Sequence, residues 1–221
     1  MQTGRGINDL GMRAALILAL LAALSACAGG GSRRPGTLRP GAVQSESIRQ
    51  CMANLSSTGI AFDRLPDRSY GGGCTAMGAV KLLDIGVPTT NLGAMTCGLA
   101  SSFSAWTGYA VGPAAHQILG SDLVRVNSFG TYSCRPIAGS NRLSEHGHAN
   151  AVDVSSFDLA DGRKISIKND WNSSDPQVRQ FLRVVRQSAC RRFRTVLSPD
   201  YNAAHHDHLH FDMGGKGTYC R

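Results

Sequence analysis

Seven cysteines punctuate this 221-residue chain, and their placement constrains its fold more than any other feature. The first, Cys27, closes an N-terminal segment with two sparse basic residues, Arg5 and Arg13, an apolar run from Ala14 to Leu24, and the tetrapeptide Leu24-Ser25-Ala26-Cys27. That layout is an export signal rather than a fold element. The run is too short for a permanent span, and no later segment approaches the ~20 apolar residues a membrane helix needs, so the mature chain is expected to have none. The other six, Cys51, Cys74, Cys97, Cys134, Cys190 and Cys220, are an even set in an exported chain and imply disulfides. Six cysteines allow fifteen pairings, among which Cys190 with Cys220 is only a guess. Zinc held by cysteine is disfavoured, since no C-x-x-C pair is present.

Leu-Ser-Ala-Cys is similar to a bacterial lipobox. The resemblance implies cleavage after residue 26, acylation of Cys27, and a lipoprotein anchored to a membrane and facing the periplasm. Several acyl chains on one cysteine hold stably where a single chain binds marginally. Ala28, not Asp, follows the cysteine, and by the same resemblance the outer membrane is favoured over the inner. Residues 28–45 (AGGGSRRPGTLRPGAVQS) are Gly, Pro, Ser and Arg with almost nothing apolar, so residues 27–45 read as the lipidated cysteine and a tether. Residues 46–221 suffice for one domain with a real core.

The formal charge of +8 becomes +7 when Arg5, Asp9 and Arg13 leave with the signal. A basic surface suits an anionic partner, either wall polymer or lipid headgroups, or simply a solvated face. Nucleic acid is not an expected partner: the chain is exported, and Trp and Tyr do not interleave with its basic residues as a stacking platform requires.

Helices are expected at 96–106, with Leu99, Phe103 and Trp106 on one stripe, at 113–119, from Pro113 to Gly120, and at about 176–193. The last has Asp175 as its N-cap, Pro176 in its first turn, and Val178, Phe181, Leu182, Val185 and Ala189 facing inward. Strands are expected at 122–127, 151–155, 164–168, 194–198 and 208–213. The order describes a single α+β domain, with a small, mostly antiparallel sheet flanked by helices. Residues 46–96 are left unassigned beyond packing.

Two segments concentrate metal-ligating side chains: SEHGHANAVDV at 144–154 and HHDHLHFD at 205–212. If the chain loops at Gly147 and enters a strand near Ala151, Asp153 can face the side of His146 while Val152 and Val154 enter the core. In the second segment, alternation puts His208, His210 and Asp212 on one face and Leu209 and Phe211 on the other. Two imidazoles about 7 Å apart on a strand can serve one site, one as ligand and one as acid or base. Zinc suits such a set, because three nitrogen and oxygen ligands with a fourth position open is the catalytic arrangement.

The pattern Ser144-x-His146-x-x-Ala149-x-Ala151-x-Asp153 with the later H-x-H resembles the LAS metallopeptidases, which include D-Ala-D-Ala peptidases and the zinc domain of sonic hedgehog. More closely, GTYSCR, LSEHGHANAVDVSSF, SACRRF, VLSPDYN and HHDHLHFD resemble, in order, the blocks of the bacterial extensin-like C-terminal family. The resemblance implies His146, Asp153 and His210 as Zn2+ ligands, His208 and His205 as catalytic histidines, and Arg135 as a substrate-orienting residue. It departs from the LAS pattern in two places. The motif glycine is Ala149, and no Glu-x-x-His precedes the last ligand because position 207 is Asp.

The expected function is a zinc-dependent peptidase acting on peptidoglycan peptides. The alternative is a non-catalytic wall-binding or scaffold lipoprotein with a metal-stabilised pocket. His205 and His206 can equally be solvated loop residues. His148 is out of phase with the motif and reads as a turn residue, His116 as packed or exposed, and Asp212 as a partner orienting a ligand histidine. Glu145, beside His146 in a turn, need not face the metal.

Overall fold

The computed structural model describes residues 40–221, with side chains from residue 44 onward. Cys27 and the expected export signal lie outside the described residues. Gly41–Arg221 is one compact unit, and no described helix is long and apolar enough to cross a membrane.

Helix α1 (Pro40–Ser57) begins inside the stretch whose composition reads as tether. The physical reason lies downstream: Ile48, Cys51, Met52 and Leu55 recur at helical spacing and pack onto the core, so the helix is held from its C-terminal half. Residues 61–96 form two small sheets. In one, β1 (Ala61–Arg64), β4 (Ala79–Asp84) and β5 (Met95–Thr96) pair antiparallel. In the other, β2 (Arg68–Ser69) pairs with β3 (Thr75–Ala76).

The helices expected at 96–106 and 113–119 are continuous. Helix α2 (Cys97–Trp106) passes through a π-helical turn, Thr107–Val111, into α3 (Gly112–Leu119). Pro113 has no N–H for a helical bond, and the wider turn eases it in, with Gly112 N–H reaching back to the Thr107 carbonyl.

The main sheet contains β6 (Leu123–Gly130), β7 (Ala151–Leu159), β8 (Lys164–Ser166), β9 (Thr195–Leu197), β10 (Leu209–Asp212) and β11 (Tyr219–Cys220). Its order is β11-β9-β10-β7-β6, with β8 also on β7, and every pairing is antiparallel except β11 with β9. The strand expected at 164–168 stops at Ser166. There the Ser166 hydroxyl accepts from Asn169 N–H while Asp170 accepts from Ser166 N–H, which starts the short helix α4 (Ile167–Asp170).

Asp175 caps α5 (Pro176–Cys190) as expected, accepting from the N–H groups of Gln177 and Val178. The helix stops short of 193, because Phe193 leaves it to stack on Phe211 of β10, at 4.7 Å between centroids. The helices cover one face of the main sheet. Val152, Val154, Leu209 and Phe211 enter a core with Phe103, Trp106, Phe181 and Val185, all of them fully buried. Trp106 contacts Phe211 edge-on at 4.9 Å and donates its indole N–H to the Val185 carbonyl at 3.0 Å. Three disulfides join Cys51–Cys97, Cys74–Cys134 and Cys190–Cys220.

Candidate metal centre

With Val152, Val154, Leu209 and Phe211 turned to the helices, strand alternation turns Asp153, His210 and Asp212 to the other face of the sheet. Asp153 and His210 lie directly opposite each other in the β7–β10 register. The third side chain comes from the turn before β7. Ser144 caps the 3-10 turn Glu145–His148 by accepting from His146 N–H, and Ala149 closes it in the left-handed conformation (φ 53°). Gly147 is needed for close approach: a Cβ there would stand 3.0 Å from Leu143 and 3.2 Å from the Cys74 sulfur. The spacing Ser-x-His-x-x-Ala-x-Ala-x-Asp therefore encodes a cap, a ligand, a left-handed stop and a strand.

The donors form a tight triangle. His146 Nε2 stands 3.1 Å from Asp153 Oδ2 and 3.2 Å from His210 Nδ1, and His210 Nδ1 stands 2.9 Å from Asp153 Oδ1. All three residues are buried. Donors about 2.1 Å from a tetrahedral ion lie roughly 3.4 Å apart, so the triangle is close to one face of such a coordination sphere. The far nitrogens are also committed. His146 Nδ1 is 2.7 Å from the Thr131 carbonyl, which can only accept, so Nδ1 keeps its proton and Nε2 is the nitrogen whose lone pair a bound ion would take once its own proton is displaced. His210 Nε2 donates in the same way to Asp212 at 3.0 Å, leaving Nδ1 for the triangle. Partners of this kind behind ligating histidines fix tautomer and ring orientation. The donor set is suited to holding a metal ion.

Without a metal the cluster is a proton trap. Burial opposes charge on Asp153, but hydrogen bonds from His146 and His210 outweigh it and hold the carboxyl well below the usual carboxylate range. Burial likewise opposes charge on His210, yet its hydrogen bonds to Asp153 and Asp212 push it up to about 9.

Three further expected residues border the triangle. His208 Nε2 is 3.5 Å from Asp153 Oδ1, while its Nδ1 is paired with Asp207 at 2.8 Å and its ring meets Phe129 edge-on. The His205 ring lies 5.1 Å from that of His208 and 5.8 Å from that of His210, centroid to centroid. Burial, followed by the neighbouring His208 and His210, lowers its pKa to about 4, so His205 is neutral at physiological pH. Its Nδ1 donates to the Asn202 side-chain oxygen at 2.7 Å. Arg135, half exposed, reaches within 3.9 Å of Asp153 Oδ2 from a loop tied down by the Cys74–Cys134 bridge.

The remaining candidates lie elsewhere. His148 bonds Thr75, His206 is exposed on the Ala203 carbonyl, and His116 pairs with Asp122 at the surface. Glu145 accepts from the Asn150 amide and does not join the triangle. The Thr131 carbonyl, Asn202 and the packing of Phe129 and Tyr201 on His208 and His205 were not legible in the sequence. A backbone carbonyl leaves no sequence signal, and the aromatic contacts depend on loops. No curated protein and no solved structure matches this chain. Its buried His-Asp-His cluster lies within residues 49–221, which match the family described as extensin-like protein C-terminus, and the chain belongs to that family.

Proposed function

We propose that the protein is a zinc-dependent peptidase acting on peptidoglycan peptides, held in the bacterial envelope by lipid on Cys27 and facing the periplasm, in the outer membrane rather than the inner. The observation that carries this reading is the His146–Asp153–His210 triangle, bordered by His208, His205 and Arg135. Three nitrogen and oxygen ligands with an open fourth position are the pattern of catalytic zinc, and structural sites are usually closed by a fourth protein ligand. The likeness to LAS metallopeptidases in ligand order and spacing supports the same reading.

Bound zinc would lower the pKa of water toward 7 and polarise the scissile carbonyl. The chain supplies the rest. His208 Nε2 takes a proton from the attacking water, and Asp207, bonded to its Nδ1, stabilises the imidazolium. His208 then returns that proton to the leaving amine. His205, held neutral, directs its Nε2 as a second hydrogen-bonding group, because Nδ1 is taken by Asn202. Arg135 pairs with a substrate carboxylate or steadies the developing oxyanion. Asp207 explains how a site lacking the LAS glutamate can still hold a base: the carboxylate acts through a histidine.

The test is digestion of purified sacculi by the chain from Ala28 onward, zinc-loaded and zinc-stripped, with mass analysis of the released muropeptides. Zinc-dependent loss of one cross-linked or stem-peptide species supports the peptidase and names its bond. Stoichiometric zinc with unchanged muropeptides would instead establish the second reading, a wall-binding module, which the absence of glutamate at position 207 favours.

A further inference from the structure

The face of the helical layer turned away from the sheet carries a feature that the metal site does not use. The π-helical turn Thr107–Val111 widens the α2–α3 helix and presents Tyr109 outward at 75% exposure, the most exposed large hydrophobic residue among those described. A π-turn forgoes regular helical bonding and is found disproportionately at functional positions. Beside it, a groove of about 490 Å³ runs between α3 and α5, its wall mixing Tyr109, Pro113, Ile118 and Val184 with the polar Gln117 and Ser188, and it ends at Arg191 and Arg192. Both arginines are exposed, and no side-chain ion pair engages either among the described residues.

An exposed aromatic, a trough of mixed polarity with Pro113, Ile118 and Val184 as its apolar part, and two free guanidinium groups match one class of partner in both polarity and charge. We propose that this face docks on an anionic phospholipid surface, with acyl chain against the trough, the Tyr109 ring at headgroup depth, and lipid phosphates on Arg191 and Arg192. Tyrosine suits the boundary because its ring is apolar and its hydroxyl wet. Arginines at such a surface are attracted by its negative potential. A free phosphate would use the arginines and leave the trough and Tyr109 without a role. The geometry also separates two tasks. The helices cover the sheet face opposite the His-Asp-His cluster, so a membrane on the helical side leaves that cluster turned to the wall.

The test is co-sedimentation of the chain from Ala28, which retains all of the compact Gly41–Arg221 unit and its three disulfides. Vesicles of phosphatidylcholine alone and of phosphatidylcholine with phosphatidylglycerol are compared. Sedimentation with the anionic vesicles only is expected, weakened about twenty-five-fold in the Arg191→Gln/Arg192→Gln variant, roughly a factor of five per arginine. Tyr109→Ser should weaken it further. Thermal unfolding of each variant, compared with the wild type, is the folding control. Equal sedimentation with both vesicles, none with either, or undiminished binding by the double-arginine variant overturns the proposal. So does binding to sacculi in preference to anionic vesicles, or occupation of the face by a second copy in solution.

Discussion

At the residue scale, the cluster divides labour between ligands and the groups behind them. His210→Ala should abolish both stoichiometric zinc binding and turnover. His208→Ala should retain the metal and lose about 10²- to 10⁴-fold in turnover, as expected for an acid–base group. Metal analysis beside muropeptide release separates the two, and a His208 variant with full rate would refute the assigned roles. Asp212 touches no candidate metal position but holds His210 Nε2, so Asp212→Asn should weaken zinc affinity about 10- to 100-fold while leaving the fold intact. Ala149 occupies the left-handed region at φ 53°, where a side chain costs roughly 1–2 kcal/mol. Glycine there relieves that strain but gives up a buried methyl packed on Ala76 and Ala79 and gains unfolded-state freedom. Ala149→Gly is therefore expected to be close to neutral in thermal unfolding, whereas Ala149→Val should be strongly destabilising and should cost zinc affinity through the displaced His146.

At the element scale, the site depends on how its strands and loops are pinned. β7 and β10 are central in the main sheet. The loop leading to His205 and His208 is held from outside, where Asp200 accepts from the Trp171 indole N–H at 2.7 Å and pairs with Arg183, which itself stacks on Trp171 at 3.8 Å. The Cys190–Cys220 bridge joins the end of α5 to β11, closing a loop of 30 residues. Replacing both cysteines by alanine should destabilise the protein by about 2–4 kcal/mol, measured by denaturant unfolding of the oxidised wild type and the variant. The metal triangle, on β10 and β7 two and three strands in from β11, should still form in the folded fraction. A helix boundary also matters for experiment: α1 starts at Pro40, so a cut at Ser45 would remove its first turn.

On the scale of the whole molecule, the cluster links metal, proton and fold. In the metal-free protein His210 has its pKa raised to about 9, above the ordinary 6.5 of an exposed imidazole. A raised folded-state pKa stabilises below the unfolded value and is lost as pH rises through the folded one. Asp153, depressed by its histidine partners, contributes above the ordinary carboxylate pKa of 3.8 and loses that contribution in acid. His205, lowered to about 4, works the other way and adds stability as pH rises from 4 to 6.5. The stripped protein should therefore have its highest Tm near pH 6.5 and lose stability toward pH 9, as checked by calorimetry in chelator. Zinc must displace the proton on His210 Nδ1, so metal affinity should rise across the same interval and uptake at neutral pH should release a proton. A Tm of the stripped protein that climbs from pH 6.5 to 9 would contradict this account of the cluster.

The amino-acid sequence alone determined the α+β class, the inward stripe of α5 with its Asp175 cap, and the alternation that puts His210 opposite the core-facing Leu209 and Phe211. These follow from local periodicity and capping, which need only a few neighbouring residues. It also brought forward His146, Asp153 and the H-x-H pair, because a loop running into a strand and an alternating strand are each contained in about ten residues, and the family resemblance then singled out His210 as the ligand. Tertiary structure decided what local pattern cannot hold. The β7–β10 register sets Asp153 against His210 across 57 residues. A carbonyl at Thr131 fixes the His146 tautomer, and a π-turn merges two expected helices around Pro113. The helix from Pro40 has the same origin, since residues 40–45 have a tether's composition and are ordered by the apolar stripe that follows them. In each case the deciding free energy comes from a partner distant in sequence, so it enters only once the chain has closed on itself.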